Sequence, residues 1–221
     1  KKENGVSISL VYLSKPLLSS ISDVRQCFAR SVRRKILQSH GIRKFARKNT
    51  VRLICFPFAG GDARAFEKFA DLAPDSLEVI SVDYPGHGTK RSEPLVKDIN
   101  LLCEILLREL RPILATGKQT PYAFLGYSVG ALIAFELAKQ ISAIGLPVPC
   151  AFFPVSAAAP STWVTCVDPS LADADFVKKA YSVGEISKEA VDAGPASWGV
   201  LLAPYRADLY IEQSFIHSIV D

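Results

Sequence analysis

The 221 residues are 49% hydrophobic and 22% charged, with a net charge of +4, which suits one globular domain with a substantial core, or one domain plus an arm. No apolar run approaches the ~20 residues that span a bilayer, so no transmembrane segment is expected. The five cysteines (Cys27, Cys55, Cys103, Cys150, Cys166) are odd in number and lack metal-ligand spacing, which points to free thiols, a reducing compartment and no metal site.

The charge is unevenly distributed. Twelve Lys/Arg against Glu3 and Asp23 give residues 1–50 a net charge of +10, and the remaining 14 Lys/Arg against 20 Asp/Glu give −6. Val6–Leu13 reads either as a strand or as part of a targeting segment. Val24–Lys48 is Arg- and Ser-rich and poor in acid. That composition fits a solvated arm, an organelle transit segment or a surface for nucleic acid or membrane. Phe28 and Phe45 are the only Phe, Tyr or Trp among these charges, too sparse a set for base stacking, so no nucleic-acid partner is expected. The location expected is cytoplasmic, or an organelle if residues 1–50 form a transit segment. A start at Lys1 and the absence of methionine imply an open reading frame that is not complete.

From Val51 the pattern becomes regular. Val51–Phe56 reads as a buried strand leading into Pro57-Phe58-Ala59-Gly60-Gly61-Asp62, with Asp62 capping a helix over Ala63–Leu72. Leu77–Tyr84 is the next strand, stopped by Pro85-Gly86-His87-Gly88. Ile99, Leu102, Leu106, Leu110 and Ile113 mark a helix, with Pro112 near its end. Tyr122–Leu125 is a short strand, and Leu132, Phe135, Leu137 and Ile141 mark the helix behind it. Cys150–Val155 is a further strand. Short helical pieces without a strand candidate fill 168–200, and Pro204–Val220 is a last helix. Strands and helices alternating at this spacing predict an α/β fold: a mostly parallel sheet with helices on both faces.

Between the strand at Tyr122 and its helix lies Gly126-Tyr127-Ser128-Val129-Gly130. Gly-x-Ser-x-Gly arises by chance in many chains, but a strand before it and an amphipathic helix after it define a nucleophile elbow. A serine on such a turn projects its hydroxyl above the sheet, and the two glycines remove side chains that would collide there. The helix behind Ser128 turns its free N–H groups toward developing oxyanion charge. The loop after the strand at Val51 is placed to supply a second oxyanion donor; without a Gly-x-Gly-x-x-Gly pattern or a Walker lysine, it does not read as a phosphate site.

Phe56–Gly61, Pro85–Gly88, Gly126–Gly130 with Ala134-Phe135-Glu136-Leu137-Ala138, and Tyr205-Arg206-Ala207-Asp208 together resemble the type II thioesterases that accompany polyketide, nonribosomal-peptide and fatty-acid synthases. The resemblance runs from Val51 to Asp221 and leaves residues 1–50 outside as a basic arm or targeting segment. It implies an α/β-hydrolase fold with a helical lid over about 168–200. It also implies an enzyme that hydrolyses the thioester joining an acyl chain to the phosphopantetheine arm of an acyl or peptidyl carrier protein, with no cofactor. It maps Ser128 onto the nucleophile and the backbone N–H groups of Ala59 and Val129 onto the oxyanion hole. Tyr127 and His87 depart from the family pattern, which more often has histidine and arginine there.

The family's triad acid and histidine follow the stretch matching Tyr205–Asp208, where few residues remain. Some terminal thioesterase domains place the acid after the strand that follows the elbow helix, but Ser156-Ala157-Ala158 stands there. His40, His87, Asp208 and His217 receive no catalytic assignment. The resemblance therefore implies a domain incomplete at its C-terminus, lacking its last strands, inactive by itself, and with Phe153 and Val155 exposed at an open sheet edge. A general ester hydrolase and a catalytically dead domain that binds acyl chains or carrier proteins are the alternatives.

Overall fold

In a computed structural model, residues 9–10 and 51–220 are described. Five parallel strands form one sheet: β1 (Ser9–Leu10), β2 (Val51–Phe56), β3 (Leu77–Ser81), β4 (Tyr122–Tyr127) and β5 (Ala151–Val155), in the order β1-β5-β4-β2-β3. The register places Phe56 opposite Gly126, and Tyr127 opposite Val155. The loops leaving β2, β4 and β5 therefore emerge side by side at the carboxyl edge, where open α/β sheets bind ligands.

Alternation along β2 divides the core. Ile54 and Phe56 join Phe124 and Phe152 on one face, packed by α2 (Ile99–Leu114), α3 (Val129–Ala143) and, through Ile211 and Phe215, α7 (Ala203–Val220). Val51, Leu53 and Cys55 join Leu125, Phe153 and Val155 on the other, with Phe66 and Phe69 from the segment after β2. The near-continuous apolar reading of these strands follows from burial on both faces.

Some expected elements take a different form. The helix expected over Ala63–Leu72 is a 3-10 turn (Ala63–Phe66) followed by a short α1 (Glu67–Asp71), with Asp62 capping as expected by accepting from Arg64 N–H. The strand expected over Leu77–Tyr84 ends at Ser81, because Asp83 bends the chain. Its carboxylate accepts from Ala63 N–H at 2.7 Å, Thr89 N–H at 3.0 Å and the Thr89 hydroxyl at 2.6 Å. Phe153 and Val155 are 1% and 5% exposed, not laid bare at a sheet edge, and β1 pairs on the far side of β5 through Ala151 and Phe152. Ser9 and Leu10 thus stand in the sheet beside β5.

The segment expected as a lid folds into α4 (Asp173–Ser182), α5 (Lys188–Asp192) and α6 (Pro195–Leu201). Val167, Phe176, Val177, Ala180 and Leu202 form a separate small core with Tyr205 and Leu209 of α7. Arg206 ties this layer down. Its guanidinium donates to Pro169 O at 2.7 Å and Leu171 O at 2.6 Å, pairs with Asp173 at 2.7 Å, and lies 4.0 Å from the Phe176 ring centroid. A lysine cannot make that planar, multi-point contact. Among the described residues no helix is long and apolar enough to cross a membrane.

Candidate active site

Ser128 sits between β4 and α3 at φ 52, ψ −124, a conformation that a non-glycine residue holds only when its surroundings impose it. The surroundings are visible. Ser128 N–H donates to Val155 O at 2.9 Å, and Ser128 O accepts from Ala131 N–H at 2.8 Å. A Cβ on Gly126 would lie 2.3 Å from Ala131 Cα, and one on Gly130 would lie 2.2 Å from Phe56 O and 2.5 Å from Pro57 O. Both glycines are required because backbone meets backbone at those points.

The Gly130 contact also seats the first turn of α3 against the end of β2, from which the Phe58-Ala59-Gly60 loop departs. The Phe58 and Tyr127 rings meet edge-on, 5.4 Å between centroids, and join the two loops directly. As the first residue of α3, Val129 has an N–H with no intrahelical acceptor. Among the described residues the Ala59 N–H is likewise uncommitted, whereas the flanking amides are held: Gly61 N–H by Phe58 O at 2.8 Å and Gly60 N–H by Asp208 Oδ2 at 2.8 Å. The three residues read from the sequence as nucleophile and oxyanion donors thus lie on adjoining loops. Glu136, in the stretch after the elbow, is turned away to pair with Lys139 at 2.7 Å.

A pair missed in the sequence lies beside them. His87 Nε2 is 3.1 Å from Asp208 Oδ2, and His87 Nδ1 is 3.0 Å from Pro85 O. The two side chains are 3% and 1% exposed. Both ring nitrogens face oxygens; burial opposes a charge on the ring, but the Asp208 hydrogen bond and charge outweigh it and favour the doubly protonated form. Both residues belong to stretches singled out above, and a histidine in one with an acid in the other was the available signal. The side chains of His40 and His217 are outside the described residues. Among the described residues no group of His, Cys, Asp and Glu could hold a metal ion.

One turn beyond Asp208 on α7, Glu212 is 6% exposed. Burial raises its pKa from the ordinary 4.5 to about 7; the Trp163 and Thr165 side chains partly offset this, and the Glu185 and Asp208 charges add to it. The folded state therefore holds a proton that the unfolded state releases above pH 4.5. Stability is expected to fall as pH rises from about 4.5 to about 7, by roughly 3 kcal/mol in all, and to level off beyond. Glu212→Gln should remove that slope and stabilise the protein at pH 8 relative to wild type. Urea midpoints at pH 4.5 and pH 8 would read it, and an unchanged slope in the variant would rule Glu212 out as its source.

A strained serine at a strand-to-helix turn on the carboxyl edge of a parallel sheet, beside a loop with an open amide, is the site geometry of the α/β-hydrolases. The chain belongs to the thioesterase domain family, whose model matches residues 51–214. It is 32% identical over 168 residues to the Gramicidin S biosynthesis protein GrsT of Aneurinibacillus migulanus, covering 75% of this chain and 63% of that protein. Over 108 residues it is 37% identical to the human S-acyl fatty acid synthase thioesterase, medium chain, covering 49% of this chain and 40% of that one. The solved RedJ thioesterase from the prodiginine biosynthetic pathway of Streptomyces coelicolor superposes with a TM-score of 0.66 at 27% identity, over 81% of this chain and 72% of that chain. The chain spans less than two thirds of the length of these curated relatives.

Proposed function

We propose that this protein is a serine thioesterase that releases acyl groups from the phosphopantetheine arm of acyl or peptidyl carrier proteins in fatty-acid, polyketide or nonribosomal-peptide synthesis. The observation that carries the reading is Ser128 held at φ 52 with the Ala59 loop packed against its turn. In this mechanism Ser128 Oγ attacks the thioester carbonyl carbon, and the developing oxyanion is met by the N–H groups of Ala59 and Val129. The C–S bond breaks, the thiol leaves with a proton, and water then cleaves the acyl-serine. The thioesterase family and the human relative's name, a fatty acid synthase thioesterase, support the thioester over an ordinary ester.

Serine needs a neighbouring base. Both ring nitrogens of His87 are engaged, by Asp208 and Pro85, so the base is assigned outside the described side chains. Residues 51–221 are the proposed catalytic unit and 168–200 its lid, with residues 1–50 a basic segment that supplies β1 to its sheet. The odd number of cysteines and their lack of metal-ligand spacing favour a reducing compartment, either cytoplasmic or, with a transit role for residues 1–50, an organelle.

The test compares turnover of an acyl-carrier-protein thioester with that of a soluble p-nitrophenyl ester, alongside labelling of Ser128 by a serine-directed phosphonate. Preference for the carrier thioester together with labelling supports the reading. Preference for the simple ester would make the protein a general esterase, and absence of both turnover and labelling would make it an acyl or carrier-protein binding domain.

A further inference from the structure

We propose that His87 is a positioning residue for the oxyanion loop, acting through Asp208 on the amide that follows Ala59; this rests on the thioesterase reading above. The loop from Phe58 to Gly61 is a turn closed by Gly61 N–H donating to Phe58 O at 2.8 Å, with Gly60 in its third position at φ +73. A positive φ there defines a type II turn. Its central peptide carries the Gly60 N–H, which donates to Asp208 Oδ2 at 2.8 Å. Type I and type II turns differ by a flip of that peptide, with the flanking residues nearly unmoved. In the flipped turn the Ala59 carbonyl would face the Asp208 carboxylate in place of the Gly60 N–H. The hydrogen bond therefore selects one of two available turn geometries. The Ala59 N–H lies on the neighbouring, unflipped peptide, and the bond fixes its position by anchoring the loop to α7 rather than by turning that amide.

Asp208 can hold that place only if its buried charge is compensated, since an unpaired carboxylate at 1% exposure is costly. His87 supplies the compensation on the same oxygen that accepts from Gly60, whereas Oδ1 has no hydrogen-bond partner among the described residues. The loop is further located from α7, where a Cβ on Gly60 would come within 3.0 Å of Tyr205 Cβ. Three segments distant in sequence, at Gly60, His87 and Asp208, thus meet at one carboxylate oxygen.

The groups acting on His87 are Asp208 from α7, and Asp83 and the edge-on Tyr84 ring (5.7 Å between centroids) from its own segment; Glu212, one turn beyond Asp208, interacts with Asp208, and residues 57–61 contribute no titratable side chain. Burial opposes the charge on His87, but the Asp208 hydrogen bond and charge outweigh it and hold the pKa above the ordinary 6.5. The clamp is therefore complete below about pH 6.5 and released as pH rises through the raised value.

The test uses His87→Gln and Asp208→Asn in the intact protein, with two readouts: hydrogen exchange of the Gly60 amide, and kcat and KM on an acyl-pantetheine thioester. Gly60 exchange is expected to quicken at least about tenfold, and kcat to fall about 10- to 100-fold with KM within about threefold, because an oxyanion donor acts on the transition state. The wild type should lose kcat on an alkaline limb that tracks the imidazole NMR titration of His87, and His87→Gln should lack that limb. Unchanged Gly60 exchange in both variants overturns the proposal whatever the activity. So does a loss confined to KM or to Tm, which would mark a structural ion pair. Should either variant fail to fold, Gly60 exchange across the His87 titration in the wild type decides: an increase beyond the intrinsic base dependence supports the clamp, and none overturns it. A wild type without Ser128-dependent turnover overturns the thioesterase reading, and the catalytic role of His87 with it, while the exchange data still report separately on the clamp.

Discussion

Ser128→Ala is expected to lower acyl-thioester turnover by a factor on the order of 10⁴ to 10⁶, with the melting temperature nearly unchanged. The hydroxyl makes no hydrogen bond that the fold depends on among the described residues, whereas the backbone of Ser128 is held through Val155 and Ala131. Alanine keeps that backbone and its strain. Ser128→Gly should be equally inactive but more stable, by about 1 kcal/mol, since glycine occupies positive φ without penalty. The pair separates nucleophile from scaffold. Retention of a tenth of wild-type turnover in either variant would remove Ser128 from the mechanism.

The second large effect is expected at Gly130→Ala. The new methyl group would meet Phe56 O and Pro57 O at 2.2 and 2.5 Å, and both are backbone atoms at the end of a central strand, with no flexible side chain to yield. Either α3 lifts or the end of β2 moves, and the Ala59 loop moves with it. A destabilisation of about 3 kcal/mol or more is expected, read from the urea midpoint, with turnover reduced in whatever remains folded. Gly199→Ala is the control: it lies in α6 with nothing within 4 Å, and should be neutral or stabilising by up to about 1 kcal/mol. Equal effects at the two positions would refute the steric argument.

How far the fold was legible follows from which interactions are local. β2 runs over Val51–Phe56, as its apolar run indicated, because strand and helix periods are carried by neighbours in sequence. The elbow was legible for the same reason: its glycines, serine and following helix are contiguous. The thioesterase family, too, was readable from four short stretches. The His87–Asp208 pair was not, since its members stand 121 residues apart and each looks like a polar residue in a loop or on a helix. Glu212 was missed although it falls between Leu209 and Phe215, where an acid on an apolar face signals burial. The early end of β3 reflects three hydrogen bonds to Asp83 from residues outside that strand, which no pattern within Leu77–Tyr84 encodes.

The helix α7 bears on how such a protein could be recombined. It sends Tyr205 and Leu209 into the small helical core and Ile211 and Phe215 into the main one, and carries Asp208 between them. A graft replacing only residues 168–200 by a relative's segment would inherit new helices over an old half-core, with Arg206 still shaped for Pro169, Leu171 and Asp173. A working crossover would need to extend through Leu209, so that donor lid, donor Arg206 and donor Asp208 arrive together. The residues facing Asp208 at positions 60 and 87 would then have to be matched across the seam. The helical layer is thus exchanged in a block of about forty residues rather than one helix at a time.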